Sequence, residues 1–221
     1  MATNQRLMTR YSDALANYQT GMSLDFQKFV ENSLKEFDDP MELVYDNISK
    51  RDQTRFYIYM REAYPIWASK HIGGAIKLGN SFYQLRRAQE ILRGRKVGVA
   101  SEIVNSVNTQ QFSKRMMSYW TVSHMIEKEL RNSIKNGEPV FFGEVGKAVS
   151  GRIGSVARDT SNALYKNDSS FSISRLVPSA DACDWCLSIV ASFERRSRRG
   201  KSANVEDFNF HDHCNCVIDW E

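Results

Sequence analysis

The sequence predicts a mainly α-helical fold followed by a small C-terminal α+β module. Three observations carry this expectation. Apolar residues recur at spacings of three and four up to about residue 168, a period-two alternation replaces them afterwards, and all four cysteines lie in the last 39 of the 221 residues. The domain organisation read from this is a helical domain over residues 1–168 and a second module over residues 169–221.

The helices can be placed by their ends. A long amphipathic stretch opens the chain, and Asp39-Pro40 with Glu42 marks a fresh start, because it combines a cap acceptor, a preset φ and a carboxylate three residues past the cap. From Arg51 to Leu92 aromatics are dense (Phe56, Tyr57, Tyr59, Tyr64, Trp67, Phe82, Tyr83), but Pro65 and Gly73-Gly74 interrupt them. That region reads as two or three helices packed closely at the glycines. Asn108 with Gln111 opens another helix, which Asn136, Gly137 and Pro139 stop. Its apolar face holds Phe112, Met116, Tyr119, Trp120, Ile126, Leu130 and Ile134. The next helix carries Val145, Val149, Ile153, Val156, Thr160 and Leu164 on one face. His124 reads as a partly buried helix residue, and His71 as a helix-end cap or an acting group. Asn167 to Ser170 read as a polar hinge, Phe171, Ile173, Arg175 and Val177 as one strand, and Val217, Ile218 and Trp220 as another.

Composition sets bounds on function without choosing one. With 42% hydrophobic and 25% charged residues the chain is ordinary for a globular protein. It has no run of 18 apolar residues and no apolar stretch at its start, which argues against a membrane span and a secretory signal. The formal charge of +4 supports an anionic partner only weakly, and residues 181–221 hold 5 basic and 8 acidic residues, so diffuse attraction belongs to the helical part.

The chemistry is concentrated near the end. Cys183-Asp-Trp-Cys186 is followed after 24 residues by His211-Asp-His213-Cys214-Asn-Cys216. A C-x-x-C pair aims two sulfurs at one point, and a second group across a loop completes a tetrahedron, as structural zinc requires. The candidate ligands are Cys183, Cys186, His211, Cys214 and Cys216. An extended 211–217 segment gives a four-cysteine site, whereas a turn at Asp212 brings in His211, and the spacing leaves both open. Unligated thiols and two disulfides are the competing readings. Deaminase chemistry is excluded, because neither His71 nor His124 has a glutamate two residues on and Ala182 replaces the proline before Cys183. A ββα nuclease would need a helix after the last ligand pair, where only five residues follow Cys216. Between the two ligand groups, Arg195, Arg196, Arg198, Arg199 and Lys201 form a basic run, read as a loop that contacts DNA phosphates or as a solvated loop. Trp185 is expected to pack the cysteine turn onto the helices, or else to anchor an interface.

The stretch from Ser174 to Cys216 resembles the C-terminal signature of MuF-like phage minor head proteins. The residues that carry it are Arg175, 177–186 (Val-Pro-Ser-Ala-Asp-Ala-Cys-Asp-Trp-Cys), Ala191-Ser192, and 210–216 (Phe-His-Asp-His-Cys-Asn-Cys). Arg152, Arg158 and Asn162 are compatible with the family's helical part. The resemblance covers about a fifth to a quarter of the chain well, and the basic run stands where many relatives have a shorter insert. It implies a minor virion component of a tailed phage, tied to head morphogenesis and partnered by portal protein, major capsid protein and packaged DNA. It also implies a place in the capsid interior or portal region, reached from the host cytoplasm, and no catalysis. A nucleic-acid-binding zinc regulator is the alternative, and a zinc hydrolase stands third.

Overall fold

The computed structural model describes residues 2–35, 50–106, 108, 120–136, 142–178, 182–198 and 216–220. In chain order the elements are α1 (Ala2–Lys35), α2 (Lys50–Leu92), α3 (Ala100–Ser106), α4 (Trp120–Asn136), α5 (Gly143–Asn167), β1 (Ile173–Val177), α6 (Asp184–Arg198) and β2 (Val217–Trp220). The fold is mainly helical, with one two-stranded antiparallel sheet among the described residues. None of the helices in the described residues is long and apolar enough to cross a membrane. The helix start at Asp39 and the residues Phe112, Met116 and Tyr119 lie outside what is described.

The apolar stripe of α5 is realised in full: Val145, Val149, Ile153, Val156, Thr160 and Leu164 are all buried. The helix spans residues 143–167. α4 ends at Asn136 with Val122 and Ile126 buried, while His124 is exposed rather than partly buried. His124 stands two residues from both buried positions, which turns it to the opposite side of the helix.

Residues 50–92 form one 43-residue helix, not two or three, with Pro65 inside it. A proline in a helix interior costs about 3 kcal/mol and each glycine about 1. Met60, Tyr64, Trp67, Ala68, Ile72 and Ala75 are buried on both sides of these breaks, and burial of large side chains at about 1.5–3 kcal/mol each outweighs the local penalties. A methyl group at Gly74 would strike the Tyr18 hydroxyl, as the expected close packing requires, whereas Gly73 faces open space. The closest backbone approach is at Gly79, where a methyl group would meet the Ala157 carbonyl of α5.

The chain divides into two compact units. One comprises Met1–Tyr18, Gly74–Thr109 and Gly154–Glu221, the other Gln19–Gly73 and Gln110–Ile153. In the first, Tyr11 stacks on Phe82 with ring centroids 3.9 Å apart. Tyr165 meets Tyr83 and Phe171 edge-on at 5.1 Å and stacks on Trp220 at 5.4 Å. In the second, Trp67 packs against Phe26 and Phe29 and donates its indole N–H to Asp25 Oδ2 at 2.9 Å. His71 Nε2 lies 2.8 Å from the same oxygen, so His71 is a mid-helix partner of Asp25 and not a helix-end cap. Burial raises the Asp25 pKa, but the bonds from His71 and Trp67 prevail and hold it below the usual carboxylate value.

Two glycines of α2 therefore have opposite expected responses. Gly79→Ala should destabilise the protein by about 1–3 kcal/mol, because a main-chain carbonyl cannot move aside without shifting a helix. Gly73→Ala should stabilise it by about 0.5–1 kcal/mol through helix propensity alone. Denaturant melts of the two variants check this, and a stabilised Gly79→Ala would contradict the close approach.

Candidate metal centre

The C-terminal strand is held from both ends by buried arginines. Arg86, on α2, is 1% exposed and donates from Nε (3.1 Å) and Nη2 (2.7 Å) to the carbonyl of Trp220. One turn on, Glu90 faces it at 3.5 Å, which supplies the countercharge that a guanidinium in a core needs. At the other end Arg158 of α5 donates to the carbonyl of Cys216 at 3.5 Å. The Trp220 indole N–H donates to Asn162 at 3.2 Å. β2 pairs antiparallel with β1 in the register Ile173↔Trp220, Arg175↔Asp219, Leu176↔Ile218, Val177↔Val217, with an irregularity between Ile173 and Arg175. Both expected strands form, yet all four residues of β2 are buried, so the strand is covered on both faces and shows no alternation.

The segment from Asn167 to Ser170 is a clasp rather than a hinge. Asp168 is 1% exposed and accepts from the Tyr83 hydroxyl (2.9 Å), the Ser170 amide (3.1 Å) and the Gly98 amide (3.4 Å), with Arg87 at 3.6 Å. Burial raises its pKa, but hydrogen bonds from Ser170, Tyr83 and Gly98 bring it below the usual value. Burial and the Asp168 bond push the Tyr83 hydroxyl well up.

This frame positions the cysteines. Cys183 caps α6, its carbonyl accepting the Leu187 N–H at 3.0 Å, and its side chain is exposed. Cys186, on the first turn, is fully buried and packs with Cys216, also fully buried, beside Ala182. The positive end of a helix favours a thiolate placed there. Two of the five proposed ligands are thus brought together. Cys183 is one turn away, and no group of three or more metal-ligating side chains forms among the described residues. His211 and Cys214 lie outside those residues, as does His213.

The basic run is not simply a loop. Arg195, Arg196 and Arg198 belong to α6, with Arg195 Nε donating to the Ala191 carbonyl at 3.2 Å and its Nη2 to Ser192 Oγ at 3.4 Å. Cations at a helix C-terminus are favoured by the exposed carbonyls there, and buried Phe193 ties that turn to the core, so the helix continues into the run. Arg195 and Arg196 are exposed, while Arg199 and Lys201 lie outside the described residues. Trp185 does not pack onto the helices: it is 61% exposed. The inner face of α6 is Cys186, Ile189, Val190 and Phe193, and position 185 falls outside that stripe.

A family model described as VG15 protein matches residues 17–220. The chain belongs to the VG15 family, a viral (phage) gene family. No curated protein matches the chain, and no solved structure does. The VG15 match takes in the cysteines, the basic run and both buried arginines. Of the residues that organise this region in the VG15 chain, Arg86, Glu90, Arg158 and Asp168 carry no motif. Their one trace in sequence is that two arginines and a glutamate interrupt an otherwise apolar helical stripe.

Asp168→Asn should cost about 1–3 kcal/mol at pH 7, since it weakens the acceptor for three donors. Because folding lowers the pKa of Asp168, its carboxylate contributes stability that is fully present above the usual aspartate range and is lost as pH falls through the folded value. The melting curves of wild type and variant should therefore converge in acid. A constant difference down to pH 2 would show that Asp168 does not act through its charge.

Proposed function

We propose that this VG15 protein is a minor structural component of a tailed-phage virion, acting in head morphogenesis at the portal region and in contact with packaged DNA. The observation that carries the reading is the buried Cys186–Cys216 pair, which joins the C-x-x-C of the MuF-like signature to its last cysteine. Membership of a viral family supports it. In this reading zinc joins α6 to β2, with Cys186 and Cys216 as the inner ligands. Cys183 and one or both of His211 and Cys214 complete the set. Soft donors of this kind suit a closed, structural site, and a zinc with four protein ligands has no position for an activated water. The chain would then work by occupying a place in an assembly, without turnover. Arg195, Arg196, Arg198, Arg199 and Lys201 supply phosphate contacts along the end of α6 and beyond it.

Mass spectrometry of purified particles decides the role, and this chain is expected as a stoichiometric component beside portal and major capsid protein. A free protein that binds duplex DNA with a steep salt slope, and is missing from particles, would favour a regulator instead. Metal analysis of protein purified without chelator should give one zinc per chain. Cys186→Ser should lose that zinc and expose the last 50 residues to protease while the long helices keep their circular dichroism. Absence of zinc in the wild type would remove the metal from the proposal.

Replacing Arg195, Arg196, Arg198 and Arg199 together by glutamine should leave the melting temperature nearly unchanged and weaken DNA binding at low salt. A large drop in melting temperature would mean that the run serves the fold.

A further inference from the structure

The last turns of α2 are inside out. Arg86, Arg87 and Glu90 are buried, while Leu85, Ile91 and Leu92 are exposed by 57%, 53% and 87%. Ser81, Leu85, Ala88 and Leu92 are all exposed and recur at spacings of 4, 3 and 4, the seam by which one helix receives another. The helix stop beside this seam is firmly built. Gly94 has φ +76°, its N–H bonds to the Ile91 carbonyl at 2.9 Å, and the Arg95 N–H bonds to the Glu90 carbonyl at 3.0 Å. The Glu90 carboxylate also takes Arg93 at 2.7 Å and Arg95 at 3.2 Å. The segment that follows is anchored at Gly98, whose N–H bonds to Ser170 Oγ at 3.0 Å and whose carbonyl accepts from Arg87. Between residues 77 and 99 every exposed charge is positive: Lys77, Arg93, Arg95 and Lys96. Exposed Val99 extends the apolar surface.

A partner for this face must present apolar residues in helical register among carboxylates. Residues 36–49 of the chain have that composition. Glu36, Asp38, Asp39, Glu42 and Asp46 stand there with no lysine or arginine, and after the Asp39-Pro40 start signal Met41, Val44 and Ile48 repeat spacings of 3 and 4, with Phe37 just before that start. This segment leads directly into the first turn of α2, whereas the seam occupies the last turns of the same 43-residue helix. So short a tether cannot bring the two together within one chain, but a second copy can supply what the first lacks. We propose that the exposed seam of α2, centred on Leu85 and Leu92 and flanked by Arg93, Arg95 and Lys96, docks the acidic segment 36–49 of a second copy of this chain. The contact is heterologous, so each copy carries both halves, and it stands whether or not the virion reading holds.

Sedimentation of the full chain tests it, together with fluorescence anisotropy of a labelled peptide spanning residues 36–49. Wild type should associate with increasing concentration, the more strongly at low salt, and the peptide should compete. Leu85→Asp with Leu92→Asp should weaken both association and peptide binding at least tenfold, with an unchanged melting curve because both positions are exposed. Met41→Asp with Val44→Asp should weaken association equally and keep peptide binding, which leaves a test if the first variant fails to fold. Mixing the two variants should restore pairing, since one keeps the segment and the other the seam. A chain that stays monomeric at all concentrations and ignores the peptide would overturn the proposal, as would association that survives both double substitutions.

Discussion

A guanidinium placed in a protein core is costly unless its donors find acceptors and its charge a partner. Arg86 gives Nε and Nη2 to the carbonyl of Trp220 and sets its charge against the carboxylate of Glu90, with Nη1 left without an acceptor among the described residues. Much of the first unit follows from this arrangement. The carbonyl is available because β2 is seated with all four residues buried, and β2 is seated because Tyr165 stacks on Trp220 and Asn162 accepts its indole proton. Glu90 in turn fixes the end of α2, since its main-chain carbonyl closes the helix stop and its carboxylate takes Arg93 and Arg95. The strand and the helix end are thus coupled through one side chain. Removing Arg86 would leave the buried Trp220 carbonyl without these donors, while Glu90 would keep Arg93 and Arg95.

A two-stranded sheet is marginal by itself, and β1 and β2 offer nine residues between them. Three kinds of support replace the missing strands: aromatic packing on Trp220, arginine donors at both ends of β2, and the Cys186–Cys216 contact beside α6. A bound metal at the cysteines would add a fourth in the place where the buried contacts are smallest, since these two side chains and Ala182 form a cluster apart from the main core.

What could be read in the sequence divides along physical lines. The stripe of α5, the strands at 173–177 and 217–220, and the confinement of cysteines to one end were legible, because burial on one face and soft-ligand spacing leave local marks. The continuity of α2 was not, because Pro65 and the paired glycines are real local costs that only packing on Tyr64, Trp67 and Ile72 overrides. Asp168 looked like part of a hinge, since aspartate between asparagine and serines is what a turn usually contains; its burial depends on Tyr83 and Gly98, 85 and 70 residues away. The cysteines of the candidate site could be named in advance, but Arg86 and Arg158, which place Cys216 and its strand, are 134 and 58 residues distant from the carbonyls they hold and follow no motif.

The same absence of local marks explains why the inverted end of α2 is informative. A helix that only served its own core would put Leu85, Ile91 and Leu92 inward and its arginines outward, and would gain about 1.5–3 kcal/mol for each leucine or isoleucine it buried. This helix does the opposite over two turns, and it can do so because the strand carbonyl, Asp168 and the Gly98 carbonyl neutralise or accept from the charges it turns inward. The apolar residues displaced by that arrangement form an ordered row beside a rigid, positively charged stop. Anchoring Gly98 on Asp168 and Ser170 fixes the far side of the row as well. A surface held this firmly loses little conformational entropy when something covers it, so the buried charges that close β2 onto the first unit also prepare its outer face for association.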